Sequence, residues 1–223
     1  MGIPWGMEDY MKKSTFIGAK LVTFMIIGMA SLAGAASAPI GWAVNAIGTL
    51  TIVRGDGVQE QLQGRKTLPL YEGDVLKTDA SSQAYIQLKQ GVNVAMNEET
   101  SFKILSRWQK DKPVTWILRL SQGEVWAKTT GEGAKAFEVE TPVATAAVKE
   151  TEFNLKVQED GQSILTVIEG VVQFGTPFGT CPIRTNTISY GVRGKKCTKP
   201  APSDPQAAKS WTATLLPPMA PVQ

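Results

Sequence analysis

The stretch from Phe137 to Phe174 constrains the fold of this chain more than any other. It opens as Phe137-Glu138-Val139-Glu140, breaks at Thr141-Pro142, and resumes from Val143 to Val157. After Glu159-Asp160-Gly161 it returns from Ile164 to Phe174. Phe153, Leu155 and Val157 alternate with Glu152, Asn154 and Lys156. A period of two puts the apolar set on one face of a pleated strand and the polar set on the other. The Asp-Gly pair between two β-rich runs predicts a hairpin.

The same grammar runs through most of the chain. Gly48 to Gly55 predicts the first strand of the folded part, and Gln59 to Lys66 a loop or an edge strand. Gly73-Asp74 marks a turn between short apolar stretches. Ala84, Ile86 and Leu88 alternate with Tyr85, Gln87 and Lys89. Trp108 to Pro113 and the Gly-rich Thr129 to Lys135 read as loops. Thr115 to Leu120 predicts a strand, Ser121-Gln122-Gly123 a turn, and Glu124 to Lys128 the next strand. No segment sustains a 3.6-residue apolar period, so almost no helix is expected. Short strands with turn signals every ~8–12 residues predict an all-β sandwich or a solenoid-like stack. An apolar residue, a short spacer, glycine and a strand recur at Leu88/Gly91, Leu120/Gly123 and Ile168/Gly170. The intervals between these glycines, 32 and 47 residues, are too irregular for a simple repeat protein. They suit strand-turn-strand units packed on one another.

The address is written at the start. Met11-Lys12-Lys13 begins a basic segment ending at Lys20, and the charge-free run from Leu21 to Ala38 follows. Ala33-Gly34-Ala35 fits a small-residue cleavage site, so residues 1–35 are expected to be a secretory signal peptide with true initiation at Met11. The alternative is an uncleaved anchor, the only route by which this chain would meet a membrane. Periplasmic or secreted localisation follows from cleavage. Without the charges of the leader the net charge is +2, with no basic stripe, so nucleic acid is not an expected partner.

The chain has no histidine, which excludes Ser-His-Asp and Cys-His machinery and every histidine metal site. Glu72 with Asp74, and Glu138 with Glu140, are the carboxylate pairs that remain for acid-base chemistry. Solvated or turn-forming roles explain them better, so no catalytic residue, metal or cofactor is expected. Trp108, Trp116 and Trp126 cluster in sequence. A sugar or cell-wall platform is one reading and core filling the preferred one. Cys181 and Cys197 are the only cysteines; in an oxidising compartment they are expected to close a 16-residue loop as a disulfide. Free thiols or half of a zinc shell are the alternatives. The β domain is expected over residues 36–198, with its core at about 48–194, and a loosely docked, Pro-rich tail over 199–223.

Three blocks carry a resemblance. The first is Gly73-Asp74-Val75-Leu76-Lys77-Thr78 with Ser82-x-Ala84-x-Ile86-x-Leu88-x-x-Gly91-x-x-Val94. The second is Phe137-x-Val139-x-Thr141-Pro142-x-Ala144-x-x-x-Val148-x-x-Thr151-x-Phe153, and the third Val167-Ile168-Glu169-Gly170-Val171-Val172. In this order they resemble the FecR domain, named for the periplasmic part of ferric-citrate signalling regulators. Gly73, Asp74, Thr78, Gly91, Thr141, Pro142, Thr151, Phe153 and Gly170 are thereby expected to be structural. One departure is local: the family's Arg-Gly before the threonine is Lys149-Glu150 here. If that glycine is needed for a positive φ, Glu150 must be strained or the bend must differ. The resemblance implies a stand-alone exported FecR-like domain that binds an envelope or extracellular protein, for sensing or scaffolding. A membrane-anchored regulator of iron-uptake signalling is the alternative it implies.

Overall fold

The computed structural model describes residues 38–107, 110, 115–130 and 137–216. The expected leader, Trp108 and most of the loop predicted over Thr129 to Lys135 lie outside them. Two long strands organise the fold, β1 (Gly41–Val53) and β8 (Thr115–Thr129). Each bends at a glycine with positive φ, Gly48 at 68° and Gly123 at 88°, and so belongs to two layers.

In one layer the first half of β1 pairs with β5 (Gln83–Leu88), then β6 (Val92–Met96), then the second half of β8. That layer continues through β11 (Glu152–Val157), β12 (Ser163–Glu169), β15 (Thr187–Gly191) and β16 (Ala201–Pro202). In the other layer the second half of β1 pairs with β4 (Val75–Thr78), β7 (Ser101–Arg107) and the first half of β8. It continues through β9 (Phe137–Glu140), β10 (Thr145–Val148), β13 (Val171–Thr176) and β14 (Gly179–Arg184). Only the β8–β9 pairing is parallel among the described residues. β2 (Gln59–Gly64) and β3 (Leu68–Leu70) run in line along the outer edge of β1.

The inward sets of both layers share one core. Ala84, Ile86, Val94, Ala127, Phe153 and Leu155 from one layer meet Ile52, Leu76, Phe102, Leu118, Val139 and Phe174 from the other, each at most 1% exposed. Phe137 and Phe153 lie 6.1 Å apart between ring centroids. The all-β sandwich expectation holds.

Three local expectations are corrected. Ser121-Gln122-Gly123 is not a turn: β8 runs straight through it, with an irregular register opposite Ser101 and Phe102. The glycine re-aims the strand between layers instead of reversing it. The first strand begins at Gly41 rather than Gly48. Residues 199–216 are not a loose tail. They form β16, helix α1 (Pro205–Lys209) and a closing turn, with Thr212 and Leu215 buried.

The glycine echo resolves into an internal duplication. Leu76 pairs with Phe102 and Lys77 with Ser101; Ala127 pairs with Phe153 and Lys128 with Glu152. The second set is the first displaced by 51 residues (76 to 127, 102 to 153). Thr78 donates its N–H to the Thr100 carbonyl (3.0 Å), and Thr100 donates its own to Thr78 Oγ1 (3.1 Å). Thr129 and Thr151 repeat this exchange at 3.0 and 2.8 Å. A glutamate in left-handed backbone precedes each second threonine, Glu99 at φ 51° and Glu150 at φ 53°. The sequence hid the period because Gly123 and Gly170, which close the two copies, are 47 residues apart instead of 51.

Candidate functional site

The residues expected to be structural sit at turns and strand ends. Asp74 is 1% exposed; its Oδ2 accepts from the Tyr71 N–H (2.8 Å) and from Arg54 Nη1 (2.6 Å). Arg54 also donates to Glu60 (2.8 Å) and to the Pro69 carbonyl (2.9 Å), tying β1, β2 and the β3–β4 turn together. The hydrogen bond to Glu60 and the charge of Asp74, working against burial, raise the Arg54 guanidinium further above its ordinary range. Gly73 turns with φ 93° in open space. Gly91 is crowded: an added Cβ would collide with the Thr130 carbonyl oxygen. Thr141 Oγ1 donates to the Ala144 carbonyl and accepts the Ala144 N–H, both at 2.9 Å, which closes the turn around Pro142. Gly170, at φ 87°, packs on Glu150 and Thr151. Phe153 is fully buried.

Cys181 and Cys197 form a disulfide, with Cα atoms 6.2 Å apart. Cys181 lies on edge strand β14 of one layer, and Cys197 follows β15 of the other. The bond therefore clamps the two layers at the end of the sandwich opposite β1.

The carboxylate pairs are held by cations and hydroxyls. Glu138 accepts from Arg107 (2.7 Å), Glu140 from Arg119 (2.9 Å), and Glu72 from Ser106 Oγ (2.6 Å). Among the described residues no cluster of acidic or cysteine side chains is arranged to hold a metal ion. Trp126 is 4% exposed, and Trp116 is half-buried against the main core.

Two surfaces remain. The first is an edge. Of the strands at the margins among the described residues, β3 is three residues long with Pro69 at its centre, β14 carries Pro182 and the disulfide, and β16 is two residues long. β2 has none of these guards. Its six residues, Gln-Glu-Gln-Leu-Gln-Gly, pair with β1 alone among the described residues, with Leu62 turned into the core and Gln59, Gln61 and Gln63 exposed. An unguarded edge presents backbone donors and acceptors to any extended chain. Polar composition was the signal in the sequence, and it left strand and loop undecided.

The second surface is the outer face of the layer containing β8 and β11. One cross-strand row runs Asn45, Tyr85, Ala95, Trp126, Asn154, Thr166 and Ile188. The C-terminal segment crosses it. Trp211, Leu215 and Leu216 pack with Val44, Tyr85, Ala95, Trp126 and Ile168. Asn154 Nδ2 donates to the Ala208 carbonyl (2.9 Å) and Asn45 Nδ2 to the Leu215 carbonyl (3.2 Å). Beneath it, Glu152 accepts from Trp126 Nε1 (3.0 Å), Lys128 (2.8 Å) and Lys209 (3.1 Å). Burial pushes this carboxyl up, but hydrogen bonds from Lys128, Lys209 and Trp126 outweigh it and hold the group below its usual range. Sequence reasoning missed this face. Asp204-Pro205, an N-cap followed by proline at the first helical position, was the readable signal.

No curated protein matches the sequence. Two crystal structures of a candidate anti-sigma factor from Parabacteroides distasonis, at 1.65 and 2.50 Å resolution, are similar in fold. They align with TM-scores of 0.53 and 0.52 at 20% identity, over 61% of this chain and 63% of theirs. This chain therefore matches less than two thirds of the length of those structures. The family described as FecR protein matches residues 74–173, which span β4 to β13 and hold both copies of the internal duplication. Over that span, a little under half of the chain, the sequence is similar to the FecR family.

Proposed function

We propose that the chain is an exported, non-catalytic FecR-domain regulator that acts by receiving an extended segment of another envelope protein along β2. The observation that carries this reading is the open edge of β2, where the other marginal strands among the described residues carry a proline, a disulfide or are only two or three residues long. A six-residue edge offers main-chain hydrogen bonds for affinity, and its exposed glutamines and Glu60 offer contacts for selection. The fold likeness to a candidate anti-sigma factor is consistent with a role in signalling. The signal-peptide pattern of residues 11–35 and the disulfide both favour a compartment outside the cytoplasm. The carbohydrate reading is weaker, because Trp126 is buried and Trp116 packs on the core.

The test is a photoreactive residue placed at Gln61 in intact cells, with the exposed turn residue Glu159 as control. The reading expects one discrete adduct from Gln61, lost when Gln59 and Gln63 are both replaced by lysine, the residue that natural edges use as a guard. Equal adducts from Gln61 and Glu159, or an adduct that survives the lysines, would refute it.

A further inference from the structure

The segment that crosses the outer face is held differently from everything beneath it. From Asp204 to Leu216 its backbone-to-backbone hydrogen bonds among the described residues close on the segment itself, as in Leu215 N–H to the Thr212 carbonyl at 3.0 Å. What joins it to the sheet are two asparagine side chains, one lysine and an apolar cluster. Glu152 keeps Trp126 Nε1 and Lys128 if Lys209 leaves, and the Asn45 and Asn154 amides would then donate to water in place of the segment's carbonyls. The segment itself is imperfectly satisfied: Trp211 Nε1 is buried without a partner among the described residues, a cost relieved on release to water. The internal duplication shows that the face is specialised. Where this copy has Trp126, Glu152 and Asn154, the other has Val75, Ser101 and Lys103 at the matching register, with Lys103 exposed.

We propose that this face is a peptide-docking surface, distinct from the β2 edge, which the chain's own residues 204–216 occupy as a resident ligand. The partner it fits carries the same chemistry: a lysine to reach Glu152, a tryptophan two residues later, and a leucine pair four residues beyond that to cover Tyr85, Trp126 and Ile168. Such a segment competes with the tethered one, which sits at high effective concentration and keeps the face closed until a partner displaces it.

The probe is a fluorescent peptide of residues 203–216 added in trans to the full-length protein. A Leu215→Asp substitution puts a charge into the apolar cluster and drives the tethered segment off without touching the sheet. The peptide is expected to bind the Leu215→Asp protein at least about tenfold more tightly than wild type, in line with removal of a tethered competitor. A peptide carrying Lys209→Ala is expected to lose several-fold of that affinity. A folded Leu215→Asp protein that binds the peptide no better than wild type would overturn the proposal. Hydrogen exchange on the wild-type chain tests it without any substitution. The Leu215 and Leu216 amides should exchange roughly 100-fold or more faster than those of Phe153 and Leu155, through local opening. Exchange of all four only through global unfolding would overturn it.

Discussion

Gly170→Val isolates what the turn after β12 contributes. Gly170 has φ 87°, where an L side chain costs about 1–2 kcal/mol, and more when β-branched. Its position is also closed: a Cβ there would stand 2.9 Å from the Glu150 carbonyl oxygen and 2.9 Å from Thr151 Cγ2. The first of these atoms is backbone, fixed by the Thr129–Thr151 exchange next to it. Moving it costs roughly a further 1–3 kcal/mol, the usual scale for overpacking. The sum is about 2–5 kcal/mol, or roughly 5–15 °C in melting temperature for a domain of this size. Gly57 supplies the control. It has φ 89° with nothing within 4 Å of its Cβ position, so Gly57→Val carries the backbone cost alone. Circular-dichroism melts of both variants with the disulfide oxidised give the comparison. Equal losses would refute the crowding argument, and an unchanged Gly170→Val melt would refute the turn itself.

Glu150→Gly should stabilise the protein by about 0.5–1 kcal/mol, because relief of left-handed strain at φ 53° exceeds the entropy that glycine adds to the unfolded chain; a destabilised variant in urea titration would count against it. Asp74→Ala removes one member of a buried pair whose side chains are 2% and 11% exposed, and should cost about 3 kcal/mol. Asp74→Ala leaves the buried Arg54 guanidinium with only the more exposed Glu60, so combining it with Arg54→Met should recover part of that loss; a double variant no better than the single would contradict the assignment. Stability should also report Glu152. Its folded carboxyl titrates below the unfolded value of 4.5, so its contribution is complete above that pH and fades as pH falls through the folded value. Melting temperature should therefore decline below about pH 4.5 more steeply in wild type than in Glu152→Gln; parallel profiles would show that the buried network is not responsible.

Much of the sandwich was legible because alternation reports burial directly. Phe153, Leu155 and Val157 read as an inward set, and each is at most 5% exposed. Alternation does not report what covers the other face. Glu152 and Asn154 read as the polar face of a half-buried strand, yet they are 4% and 5% exposed, because a segment some fifty residues downstream lies across them. Gly123 misled for a related reason. A glycine at positive φ between two strand-like runs signals a reversal or a change of layer equally well, and only the pairing of β8 with β7, β9, β6 and β11 distinguishes the two. Prolines at 200, 202 and 205 marked the C-terminal segment as irregular. Pro202 sits in an edge strand and Pro205 at a helix start, positions where a missing N–H costs little. The β2 edge was visible only as polarity, since a strand with a single paired neighbour needs just Leu62 to face the core.

The functional account depends on this domain acting outside the cytoplasm, where an envelope partner can reach β2. The measurement that tests this most directly is the unreduced intact mass of the protein from separated membrane and soluble envelope fractions. The account predicts a soluble species that begins near Ala36 and is lighter than its reduced form by one pair of hydrogens, the mark of the Cys181–Cys197 bond. A species still carrying residues 1–35, held in the membrane, would contradict release by cleavage and return the chain to the class of anchored regulators. A reduced, full-length species in the cytoplasm would contradict the account outright.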